Sequence, residues 1–130
     1  MDHVLLIATR PGALDTLAFF LMSHGFTVEV ADGVARASYL AAAHRPSLVL
    51  AERALGASLG ALPARIPRVA IGAPSPELAS QFDDYLPAGA QGQQVLRTLR
   101  RCLRSVRRAA ASLLLPLTAP APAPVREDYA

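Results

Sequence analysis

The chain has 130 residues, enough for one domain around one core. Its 52% hydrophobic and 5% aromatic content describes a core of Leu, Ala, Val and Ile, and no apolar run reaches the roughly 18 residues needed to span a bilayer. All 13 cationic residues are arginine, which excludes chemistry that needs a lysine amine, and the formal charge of +3 is regional, with six arginines between Arg97 and Arg108.

His3 to Thr9 reads as a buried first strand, because its apolar run from Val4 to Ile7 is continuous rather than alternating. Pro11 and Gly12 break it. Leu14, Leu17, Ala18, Leu21 and Met22 recur at helical spacing and predict the apolar face of a first helix that Gly25 stops. Phe26 to Val30 is a second strand, ended by Asp32-Gly33. Val34 to His44 is helical, with Ala37, Leu40 and Ala41 as its buried face. Pro46 leads into a third strand, Ser47 to Ala51.

From Arg53 to Arg65 the pattern weakens. Its two glycines each cost about 1 kcal/mol against alanine in a helix, so a turn or two is the most expected there. Pro67 to Ile71 is a fourth strand, followed by a brief helix near Pro76 to Gln81 and a short fifth strand, Asp84 to Pro87. Gln93 to Leu115 is the most regular helix. Val95, Leu96, Leu99, Cys102, Leu103, Val106 and Ala110 form its apolar stripe, with Arg97, Arg100, Arg101, Arg104, Arg107 and Arg108 mostly away from it. Pro116 is expected to close it. The Ala-Pro repeats from Leu117 to Ala130 read as a disordered tail of polyproline character, which divides the chain into a domain over 1–115 and a tail over 116–130.

Strands separated by helical stretches argue for a parallel sheet, whose chemistry sits where the strands end. Those ends read Ala8-Thr9, Glu52, Gly72 and Ala88, and only one carries a carboxylate. The segments Val-Leu-Leu-Ile at 4–7, Gly-Phe-Thr-Val-Glu-Val-Ala-Asp-Gly at 25–33, Arg-Pro-Ser-Leu-Val-Leu at 45–50, Ile-Pro-Arg-Val-Ala-Ile at 66–71 and Asp-Asp-Tyr-Leu at 83–86 occur in order. Together they closely resemble the receiver domain of bacterial two-component response regulators, over residues 3–104. The resemblance implies an α/β, flavodoxin-like, doubly wound sheet of five parallel strands in the order 2-1-3-4-5.

It also implies a phosphorylation pocket that this chain lacks. A working receiver holds Mg²⁺ on an acid pair ending the first strand, and an Asp ending the third strand accepts the phosphoryl group. A Thr or Ser ends the fourth strand and a Lys the fifth. The matching positions are Ala8-Thr9, Glu52, Gly72 and Ala88, and the proline that follows the lysine is Gly89. Tyr85 matches the family's switch aromatic. Mg²⁺ requires hard oxygen ligands that alanine cannot supply. Without metal and lysine nothing neutralises charge on a transferring phosphoryl group. Glu52 also carries an extra methylene, and a misplacement of about 1 Å costs on the order of 100-fold. Glu52 and Ile66 stand only 14 positions apart, so the third helix is expected to be largely deleted and the fourth shortened.

Glu52 is then either a built-in mimic of the phosphorylated state or a surface carboxylate paired with Arg10 or Arg53. A carboxylate carries one charge where a phosphoryl group carries nearly two. Tyr85 is either a strand-end packing residue or a switch. His3, His24 and His44 are scattered in sequence and show no metal-ligand spacing, so no metal and no cofactor are expected. Cys102, the one cysteine, closes no intramolecular disulfide and lies on the last helix's apolar stripe, where it reads as a small buried thiol. The lone cysteine fits a reducing cytoplasm, and with no basic-then-apolar leader no secretion signal is expected, so a cytoplasmic protein is the expectation.

The arginine face reads as a solvated helix side or as a contact for an acidic surface. The helix lacks aromatics for base stacking and no DNA-reading module follows, which weighs against nucleic acid. Beyond Arg104, the stripe Val106, Ala110, Leu113 and Leu114 is a candidate contact with a second copy. The expectation is a stand-alone, degenerate receiver acting as a phosphorylation-independent protein-interaction module and not as an enzyme. The family's output face maps to Tyr85, Leu86, Leu96, Leu99, Arg100, Leu103 and Arg104. Two alternatives stay open: a phosphoacceptor that uses Glu52, and a nucleic-acid-binding accessory protein that uses the arginine helix.

Overall fold

Five strands, β1 (His3–Ile7), β2 (Thr27–Ala31), β3 (Leu48–Glu52), β4 (Arg68–Ile71) and β5 (Asp84–Leu86), form one sheet in the order β2-β1-β3-β4-β5 in the computed structural model. Every neighbouring pair is parallel. The structure describes residues 2–63, 66–87 and 89–118, with side chains described as far as Ser105. The continuous apolar runs mark the central strands, as expected: Val4 to Ala8 and Leu48 to Ala51 are no more than 1% exposed.

Alternate residues of each strand feed two cores. Val4, Leu6, Leu48, Leu50 and Val69 face α1 (Asp15–Ser23) and α3 (Gly92–Thr118). Leu5, Ile7, Val49 and Ala51 face α2 (Val34–His44) and a 3₁₀ helix over Arg53–Ala61. The buried residues of α2 are Ala37, Leu40 and Ala41, as its spacing predicts. No helix among the described residues is long and apolar enough to cross a membrane.

Three expectations need correction. Met22 is exposed rather than part of the first helix's buried face. At about 100° per residue it stands about 80° from Leu14, off the edge of the Leu14–Ala18–Leu21 stripe. The segment after Glu52 forms nine residues of 3₁₀ helix rather than a turn or two. Its Leu59 is buried, and a Cβ on Gly56 would stand 3.0 Å from the Phe82 ring. That glycine is therefore a point of close packing, which offsets its cost to the helix. Pro116 does not close the last helix, which runs to Thr118 and so takes in Leu117 as well. So near the end of a helix, a missing N–H costs a single bond in the final turn. The rest of the expected tail, residues 119–130, lies outside the described residues.

A second glycine is fixed by packing where α3 begins. A Cβ on Gly92 would stand 2.8 Å from the Phe20 ring, closer than side chains tolerate. Gly92→Val is expected to lower stability by about 1–3 kcal/mol through overpacking, read from the midpoint of a urea melt.

Candidate functional site at the crest of the sheet

The β1, β3 and β4 ends bring Ala8, Thr9, Glu52 and Gly72 to one crest, as the parallel order requires. Ala88 lies outside the described residues. Ala8 is fully buried, and its methyl side chain offers no ligand atom. Thr9 is exposed and donates its backbone N–H to Glu52 Oε1. Oε1 of the half-buried Glu52 carboxylate thus ties β3 to the loop after β1.

The described ion pairs are His3–Glu29, His44–Glu29 and Arg101–Asp84, so Glu52 pairs with neither Arg10 nor Arg53. Arg53 turns the other way. Its Nη1 donates to the Ala73 carbonyl at 3.2 Å. Its Cδ lies 3.3 Å from where a Cβ on Gly72 would be. Gly72 has φ +91, a conformation that L side chains rarely adopt, and its N–H donates to Leu86 O at 2.8 Å. A side chain at position 72 would meet both a backbone conformation that L residues rarely adopt and the Arg53 stem, 3.3 Å away.

The expected partner face divides sharply. Tyr85 is 43% exposed, and Arg100 and Arg104 are exposed. Leu86, Leu96, Leu99 and Leu103 are not surface residues: all four are no more than 5% exposed and belong to the core between α3 and the sheet. One helix stripe cannot both seal that core and meet a partner. What remains open around Tyr85 is a groove of about 440 Å³ with Pro74, Phe82 and Asp83 in its lining. It borders the second 3₁₀ helix, Ala79–Gln81, which is only three residues long. On the other side of Tyr85, Arg101 binds Asp84 Oδ2 through Nη2 at 2.5 Å.

Arg97, Arg100, Arg101 and Arg104 are exposed as expected, while the side chains of Arg107 and Arg108 lie outside the described residues. So do those of Val106, Ala110, Leu113 and Leu114 in the candidate stripe. Cys102 is buried. Burial pushes its thiol up, and the nearby Asp84 and Asp83 carboxylates add to that. A proton held more tightly in the folded state costs stability once pH passes the unfolded thiol value. Stability is therefore expected to fall above about pH 8.5, and Cys102→Ala to flatten that decline in urea melts at neutral and alkaline pH.

Two features escaped the sequence. Thr98 is buried on α3. Its spacing from Val95 and Cys102 placed it on the stripe, and only its polarity hid it. His3 and His44, far apart in sequence, both meet the Glu29 carboxylate, at 2.9 and 2.8 Å. No group of three or more His, Cys, Asp or Glu among the described residues is arranged to hold a metal ion.

No family model and no curated protein matches the chain. Solved structures do. The chain is similar to a CheY-like response regulator receiver domain protein from Methanospirillum hungatei JF-1, with a TM-score of 0.71 and 15% identity over 84% of this chain and 98% of that one. The signal receiver domain of a modulated diguanylate cyclase from Desulfovibrio desulfuricans G20 gives 0.70 and 20% identity over 84% and 98%. That of an HD domain-containing protein from Pseudomonas fluorescens Pf-5 gives 0.69 and 20% identity over 82% and 98%.

The chain has the receiver fold. At these identities the likeness establishes architecture, and the sheet order 2-1-3-4-5 agrees with it. In a receiver fold the crest is where the β1, β3 and β4 ends converge. Here that crest holds one engaged carboxylate and one arginine reaching across a glycine.

Proposed function

We propose that this chain is a receiver-type signal-transduction domain that acts by binding a protein partner, without phosphoryl transfer. The observation that supports this most is the state of the crest: Glu52 Oε1 is held by the Thr9 N–H, and Arg53 spans Gly72. In this reading Glu52 is a structural tie rather than an acceptor or a mimic, and the domain is not an enzyme. It works in the cytoplasm of a bacterial cell, in a two-component or phosphorelay-type pathway. Its partner-binding surface is Tyr85 with its flanking groove, Arg100 and Arg104. Nucleic acid is not the partner, because α3 offers arginines without stacking aromatics.

The test is affinity capture from extract of the native cell, with the full chain as bait. Tyr85→Ala combined with Arg100→Glu and Arg104→Glu is expected to lose a partner that the wild type retains, while Glu52→Gln keeps it. Loss of the partner on Glu52→Gln alone would instead favour a working acceptor site.

A further inference from the structure

Helix α3 gathers positive charge on one side. Arg97, Arg100, Arg101 and Arg104 are all exposed. At about 100° and 1.5 Å per residue they fall within an arc of about 100° and a length of about 10 Å. They stand at spacings of three and four, where like charges destabilise a helix. Nothing in α3 offsets them, because Gly92 to Thr118 contains no aspartate or glutamate.

Among the described residues, one carboxylate answers this charge. Asp84 Oδ2 accepts from Arg101 Nη2 at 2.5 Å and from Nε at 3.2 Å, while Asp84 Oδ1 accepts the Tyr85 N–H at 2.8 Å. Arg97, Arg100 and Arg104 make no ion pair or side-chain hydrogen bond among those residues. Their charge is uncompensated within the domain.

Tyr85 joins this stripe to the sheet. Between β5 and α3 lies a hollow of about 260 Å³ with Tyr85, Gln94, Arg97 and Arg101 in its lining. Across Tyr85 is the groove that Phe82 and Asp83 line, and Asp83 is exposed. The face thus runs from positive, through an aromatic, to negative.

We propose that this face takes an acidic polypeptide segment, with carboxylates on Arg97, Arg100 and Arg104 and an uncharged residue against Tyr85. A guanidinium donates two parallel N–H bonds to a carboxylate, so each of these arginines can hold one acidic side chain. A nucleic acid fits less well. It carries a phosphate at every nucleotide and would set some of them against Asp83, whereas a polypeptide can vary its charge along the surface. The inference rests on the reading that the Tyr85 face binds a protein partner.

The probe is a fluorescein-labelled peptide of alternating glutamate and alanine with one central phenylalanine, titrated with the full chain at low salt and read by anisotropy. Arg97→Gln with Arg104→Gln is expected to weaken binding by about tenfold or more without lowering the melting midpoint. Arg36→Gln with Arg45→Gln removes the same charge on the α2 side of the sheet and is expected to change binding by less than about twofold. Tyr85→Ala weakens binding of this peptide but not of one with alanine in place of the phenylalanine. No binding of the glutamate peptide, or equal losses from the two arginine pairs, overturns the proposal. So does tighter binding of a mixed-sequence DNA duplex than of the peptide. A captured partner whose affinity is unchanged by Arg97→Gln with Arg104→Gln overturns the acidic chemistry and leaves the protein-binding reading standing. Failure to capture any partner, with the peptide still bound through the arginines, overturns that reading alone.

Discussion

Incubated with acetyl phosphate and Mg²⁺, the chain is expected to keep its unmodified mass, and beryllofluoride with Mg²⁺ to leave its melting temperature where it was. The reason is local. The Thr9 N–H holds the Glu52 carboxylate at Oε1 and fixes its direction, so only Oε2 is open to a phosphoryl group. The incoming charge would then meet no bound cation, because Ala8 and Thr9 replace the acid pair and the chain contains no lysine. The null result is informative because the alternative is large. A ligand present at a hundredfold its dissociation constant stabilises the state that binds it by about 2.7 kcal/mol. In a domain of this size, about 1 kcal/mol already moves the melting temperature by several degrees. A shift of that order, removed by Glu52→Ala, would show that the crest still works as an acceptor site.

Leu99→Ala is expected to cost about 2–5 kcal/mol of unfolding free energy, while its neighbour Arg100→Ala stays within about 0.5 kcal/mol. Leu99 is fully buried among Val95, Leu96, Leu103 and the sheet leucines, so truncation leaves a cavity in the core that α3 seals. Arg100 is exposed and loses no such contact. Against a typical total of about 5–15 kcal/mol, the first change takes a large share of the stability. The pair separates the two uses of α3: leucines hold the domain together, and arginines on the turns between them face outward. If Leu99→Ala left the urea midpoint unchanged but abolished partner capture, the leucine stripe would be an interface after all.

Much of this architecture was legible before any coordinates. Short unbroken apolar runs at Val4 to Ile7 and Leu48 to Leu50, bounded by turn residues, fit strands buried on both faces, and both lie inside the sheet rather than at its edges. Ala37, Leu40 and Ala41 were readable because Leu40, the one leucine of α2, fixes the face on which Ala37 and Ala41 also lie. Parallel order then placed Ala8, Thr9, Glu52 and Gly72 at the same end with no further information.

What stayed hidden depends on where long side chains reach. Arg53 was adjacent to Glu52 in sequence and looked like its ion-pair partner. It instead bonds to Ala73 O, twenty residues on, because Gly72 leaves the space for its stem. The meeting of His3, Glu29 and His44 needs β1 beside β2 with the end of α2 above them, which periodicity does not encode. Four leucines of the expected output face, Leu86, Leu96, Leu99 and Leu103, are buried because the apolar stripe of α3 seals the core, while Tyr85, Arg100 and Arg104 stay exposed.

The proposed function requires this receiver fold to bind its partner without reading phosphorylation. The direct measurement is the partner's affinity for wild type and for Glu52→Gln, each with and without acetyl phosphate and Mg²⁺. All four values are expected to agree within about twofold, a difference well under 1 kcal/mol. A tenfold or greater gain on adding the phosphodonor, present in wild type and absent in Glu52→Gln, would contradict it.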